Sequence, residues 1–144
     1  MADMQQLEEG TTAEIDFARL GKFGEKDLAV LPVVLQNADT LEVLYVAYMS
    51  EASLRETLAT RRVVLWSTSR NKIWRKGETS GDYLDLVEVR VNCEQNSLLV
   101  LCRPVQRGCC HTKDAAGQTR ATCYYRRVEG DGQGVRLAPV PGKF

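Results

Sequence analysis

The sequence predicts an α+β domain built mainly from antiparallel β-structure, with one helix. Three observations carry this. Apolar runs of strand length are separated by turn-forming residues, a single stretch has helical spacing behind a cap, and strands do not alternate regularly with helices as they do in a parallel α/β sheet. At 144 residues, 44% hydrophobic and 26% charged, the chain suits one domain with its own core.

The elements follow in chain order. Residues 1–27 hold several charges and glycines without sustained periodicity and read as a lead-in, with at most a short helix near 13–20. The runs 28–35 and 43–48 flank Asn37-Ala38-Asp39-Thr40 and form a hairpin. Ser50 stands where an N-cap belongs. Leu54 and Leu58, four apart on one face, continue the helix to Thr60. Val63 to Trp66 is a strand leading into a long polar loop that includes Lys76-Gly77-Glu78-Thr79-Ser80-Gly81.

The second half is β again. Across 84–94, Val87, Val89, Val91 and Cys93 alternate with Glu88, Arg90, Asn92 and Glu94, which predicts one strand carrying Cys93 on the valine face. A turn at Gln95-Asn96-Ser97, a strand over 98–102 and another over 122–128 complete the domain at 28–128. The Gly/Pro-bearing segment 129–144 reads as a peripheral tail. No internal repeat is visible.

Composition narrows the function. Lys+Arg and Asp+Glu number 19 each, so no overall positive field favours nucleic acid. No apolar run approaches the roughly 20 residues that span a bilayer. The chain begins without a signal-like segment, and five cysteines form an odd set suited to reduced thiols, so a soluble, cytoplasmic protein is expected.

Cys93, Cys109, Cys110 and Cys123 crowd the second half with His111, the single histidine. Thiolate and imidazole are the ligands zinc prefers. Sixteen residues separate Cys93 from Cys110 and twelve separate Cys110 from Cys123, which is not the paired spacing of a zinc ribbon, and buried cysteines also serve as small hydrophobes. Three thiolates would leave a fourth position for water, the open geometry of a catalytic zinc. His111 is then a candidate proton carrier, although a lone histidine is as readily structural. Lys76 suits a phosphate, Thr79 and Ser80 donate hydrogen bonds, and Arg70 and Trp74 suit clamping a nucleotide, against the alternative of a polar turn and a core tryptophan.

Four segments in sequence, Trp66-Ser67-Thr68-Ser69-Arg70, Trp74-Arg75-Lys76-Gly77-Glu78-Thr79-Ser80-Gly81, Cys110-His111-Thr112 and Cys123-Tyr124-Tyr125-Arg126-Arg127, resemble successive motifs of the phosphoribosyl-AMP cyclohydrolase family. The resemblance covers about 31–128. It implies a hydrolase that opens the adenine ring of phosphoribosyl-AMP between N1 and C6 in histidine biosynthesis, acting as an intertwined homodimer on a small-molecule nucleotide. It further implies a zinc held by Cys93, Cys110 and Cys123 across the dimer interface, with Cys102 and Cys109 left as packing residues. His111 and Glu78 are the implied catalytic residues, and Arg70, Trp74, Lys76, Thr79 and Ser80 the implied substrate-binding residues.

The chain departs from the family at one motif. Where members carry Asp-Cys-Asp-x-Asp, whose aspartates hold magnesium, it reads Asn92-Cys93-Glu94-Gln95-Asn96. Amide oxygens bind a hard dication more weakly than carboxylates. A magnesium site at Asn92, Glu94 and Asn96 is therefore expected to be weakened. Two alternatives stand beside the cyclohydrolase: a paralogue hydrolysing a different purine-type nucleotide, and a non-catalytic, zinc-stabilised nucleotide-binding module.

Overall fold

The computed structural model describes residues 3–13 and 29–143. Most of the stretch 13–20, where a short helix was expected, lies outside these. Among the described residues, eight strands and two helices run in the order α1 (Met4–Glu9), β1 (Val30–Asn37), β2 (Val43–Ser50), α2 (Glu51–Thr60), β3 (Val64–Ser67), β4 (Lys72–Arg75), β5 (Leu84–Val91), β6 (Leu98–Pro104), β7 (Arg126–Asp131) and β8 (Gly134–Pro139). The α+β expectation holds.

The central sheet has the order β2-β1-β6-β5. β1 and β2 form the expected antiparallel hairpin, Val33 opposite Ala47. β1 also lies parallel to β6, Val34 opposite Leu99, so the sheet is mixed. Two hairpins, β3-β4 and β7-β8, stand apart from it. Val33, Leu35, Leu44, Leu65, Leu84 and Val100 are at most 1% exposed and form the centre of the core.

Ser50 caps α2 as its residue type predicts. Its Oγ accepts from Ser53 N–H at 3.1 Å while Ser53 Oγ accepts from Ser50 N–H at 2.9 Å, a reciprocal capping box. The buried face is a correction, however. Ser53 and Thr57 are fully buried, whereas Leu58 is 47% exposed. Thr57 Oγ1 bonds Ser53 O at 2.8 Å and accepts Val64 N–H at 2.9 Å. Short hydroxyl side chains whose polar atoms are satisfied by backbone let α2 approach β3 closely.

β5 also departs from expectation. The register slips between Leu86 and Glu88, a bulge that turns the strand and breaks the simple alternation. Leu84 and Leu86 are buried, Val91 is 54% exposed, and the strand ends before Cys93, which lies exposed in the following turn. Cys93 therefore does not share a packed face with the valines.

Two further elements were not foreseen. Lys72–Arg75 is a strand, so Trp74 sits in the β3-β4 hairpin opposite Leu65. The strand expected over 122–128 begins at Arg126 and pairs with β8, Val128 opposite Leu137. The hairpin thus crosses the expected 128/129 boundary, and it holds the N-terminal segment through a Thr12–Arg136 bridge.

Candidate functional site

β2, the β3-β4 hairpin and the 109–123 loop bound two adjoining depressions. The first, of about 260 Å³, is lined by residues including Tyr45, Trp66, Cys109 and Cys123. The second, of about 630 Å³, includes Arg70, Glu78, Thr79, Ser80 and Lys113. Trp74, Lys76, Cys110 and His111 line both.

Local backbone explains this convergence. Gly77 takes φ +90°, and a Cβ there would lie 2.6 Å from Tyr83 N; only glycine allows the loop to fold back so closely. That fold buries Lys76, whose Nζ donates to Asp82 O at 3.1 Å. Ser80 Oγ accepts Asp82 N–H at 3.2 Å. Arg70, Glu78, Thr79 and Ser80 remain exposed around the rim.

The 109–123 loop is pinned by Cys109 and Cys110 N–H groups donating to Arg120 O and by Cys123 N–H donating to Leu44 O at 2.8 Å. These bonds bring Cys110 and Cys123 into hydrogen-bond contact. That contact, followed by the bond to Thr112 Oγ1 at 3.0 Å, pulls the Cys110 thiol down to about 5, with burial opposing. The same contact pushes the thiol of Cys123, an exposed residue, up. A Cys110 thiol held low favours the thiolate form that a soft metal takes. Cys102 and Cys109, by contrast, are buried thiols pushed up to about 12 by desolvation, consistent with packing roles.

Two buried donors on residues that line the first depression lack partners among the described residues. Tyr45 Oη and Trp66 Nε1 are buried without a hydrogen bond. Burial, then the neighbouring cysteines, pushes the Tyr45 phenol well above its usual range, so it stays protonated. A buried unsatisfied donor costs about 1–3 kcal/mol and is therefore informative where it borders a cleft. Sequence alone did not single out Tyr45, because an aromatic inside a strand reads as core. Its signal exists only once the four cysteines fold around it.

Other predicted residues lie elsewhere. Among the described residues no three His, Cys, Asp or Glu side chains of one chain are grouped to hold a metal ion. Asn92, Glu94 and Asn96 bond one another. Asn92 Oδ1 accepts from the N–H groups of Asn96 and Ser97, both at 2.9 Å. Asn92 Nδ2 donates to Asn96 Oδ1 at 2.6 Å, and Asn96 Nδ2 donates to Glu94 Oε2 at 3.3 Å. Both amide oxygens are thus already engaged as acceptors. His111 has a side chain 76% exposed, with Nε2 2.8 Å from Glu8 Oε1 on α1.

A sequence model of the phosphoribosyl-AMP cyclohydrolase family matches residues 45–125, the block that builds both depressions. The chain is 44% identical over 103 residues to the phosphoribosyl-AMP cyclohydrolase of Sphingopyxis alaskensis, covering 72% of this chain and 76% of that protein. It is 39% identical over 138 residues to that of Alkalilimnicola ehrlichii, covering 95% and 91%. With that of Archaeoglobus fulgidus it shares 43% identity over 111 residues, covering 76% and 94%. Site and similarity fall on the same residues, and the chain belongs to the phosphoribosyl-AMP cyclohydrolase family of hydrolases.

Proposed function

We propose that the chain is a zinc-dependent phosphoribosyl-AMP cyclohydrolase of histidine biosynthesis, adding water to the adenine ring so that the N1–C6 bond opens. The observation that carries this is the shared wall of Trp74, Lys76, Cys110 and His111. It joins a pair of neighbouring cysteines to a loop of cationic and hydroxyl side chains, the two halves that ring hydrolysis of a nucleotide needs.

Cys110 and Cys123 supply two zinc ligands, and the lowered Cys110 thiol fits that metal. Cys93, exposed beyond β5, supplies the third from a second copy, which makes the active species a homodimer in the reducing cytoplasm. Zinc, when bound, supplies a water acidified to a pKa of about 7. Arg70 and Lys76 bind substrate phosphate, and Thr79 and Ser80 donate to phosphate or ribose oxygens. Trp74, 41% exposed, stacks on the purine. Tyr45 and Trp66 wall the depression that receives the ring. His111 carries the proton from water to ring nitrogen, with Glu78 assisting at the rim.

The 92–96 turn does not fit magnesium. Two of three carboxylates are amides, and those amides are consumed in the turn's own hydrogen bonds. That ion takes no part in the proposed reaction.

The test is turnover of phosphoribosyl-AMP by zinc-loaded protein, followed as ring opening. Cys110→Ala abolishes it, and His111→Ala lowers it by about 10²- to 10⁴-fold. Chelation removes activity and zinc restores it. Unchanged turnover in either variant refutes Cys110 as a zinc ligand or His111 as the proton carrier.

A further inference from the structure

The single histidine of this chain faces a carboxylate that comes from outside the block matched by the family, residues 45–125. Glu8 Oε1 lies 2.8 Å from His111 Nε2. The helix that carries it is short and exposed, yet its end is fastened at several points. Tyr125 Oη donates to Glu8 O at 2.8 Å. Arg126 donates to Leu7 O at 2.8 Å and to Gly10 O at 2.9 Å. Arg120, with only 2% of its side chain exposed, holds Glu9 through two bonds of 2.9 and 3.1 Å. The guanidinium of Arg120 in turn lies 3.9 Å above the Tyr125 ring. These backbone and side-chain anchors together fix the position of one carboxylate against His111, which lines the cleft.

We infer that Glu8 is a positioning residue for His111, holding the imidazole in the tautomer that bears its proton on Nε2. A carboxylate only accepts, so the ring nitrogen facing it must carry the proton, and in the neutral ring the other nitrogen, Nδ1, is then the free base. A histidine that is 76% exposed would otherwise exchange between tautomers and rotamers in water. Fixing the ring raises the fraction of molecules in which Nδ1 is available to accept the proton of the attacking water. The inference rests on the reading of His111 as the proton carrier and adds its orienting partner.

The sole histidine makes the test direct. In zinc-loaded, ¹⁵N-labelled protein, long-range imidazole correlations give one histidine pattern, expected to be that of the Nε2-protonated tautomer. Glu8→Ala converts it to an averaged pattern and lowers kcat by about 10- to 100-fold with KM little changed. Glu8→Gln, which retains an acceptor oxygen, restores the Nε2–H pattern and most of kcat. An unchanged pattern in Glu8→Ala, or unchanged kcat while His111→Ala is inactive, overturns the inference alone. Full turnover in His111→Ala instead sinks the proton-carrier reading on which it stands.

Discussion

Thr57→Val replaces a fully buried hydroxyl by a methyl of nearly the same volume, so it isolates one polar junction between α2 and β3. In the native chain Thr57 Oγ1 accepts Val64 N–H at 2.9 Å and bonds Ser53 O at 2.8 Å. Ser53 O is also within reach of the ordinary helical N–H of Thr57, so it loses little. Val64 N–H has no such substitute, and Val64 is 4% exposed, so water cannot replace the lost acceptor. An orphaned buried donor costs about 1–3 kcal/mol, and about 2 kcal/mol is expected at this junction. Thr57→Ser keeps the acceptor and deletes one methyl, about 1 kcal/mol. Urea unfolding at fixed protein concentration measures both, since dimerisation would make the midpoint concentration-dependent. Because β3 leads to Trp66, the valine variant is also expected to raise KM. A valine variant as stable as wild type, or a serine variant less stable than the valine one, refutes the role of the Thr57 hydroxyl.

Gly77→Ala places a Cβ 2.6 Å from Tyr83 N at φ +90° and is expected to cut both stability and turnover, whereas Gly81→Ala meets only Gln106 Nε2 at 3.0 Å and costs less; thermal melts and steady-state assays rank them. The Glu9 carboxyl is held below its usual range by the hydrogen bond from Arg120 and then by its charge. A depressed carboxyl stabilises fully above its unfolded pKa and loses that effect as pH falls through the lowered value, so the melting difference between wild type and Glu9→Gln should shrink between about pH 7 and about pH 3. A difference that stays constant over this range would show that the ion pair contributes nothing. Magnesium should produce no heat of binding in calorimetry of the wild-type protein, while the triple variant Asn92→Asp, Glu94→Asp, Asn96→Asp gains it; strong wild-type uptake contradicts the closed amide turn.

Residue type and spacing determined much of this protein by themselves. The β1-β2 hairpin follows from apolar runs around Asn37-Ala38-Asp39, and the start of α2 follows from Ser50, because turns and caps are satisfied by neighbours in sequence. The residues of the 70–80 stretch and the Cys110-His111 pair could be named as a site because they lie in short contiguous segments. What depended on distant contacts was not legible. The bulge in β5 that leaves Cys93 in a turn is set by pairing with β6. The burial of Ser53 and Thr57 in place of Leu58 depends on a β3 carbonyl and N–H. The orphaned donors of Tyr45 and Trp66, and the carboxylate that α1 brings to His111 from 103 positions away, exist only after folding. Local hydrogen bonding is written in adjacent residues, whereas burial and long-range partners belong to the assembled chain, and tertiary structure alone decides them.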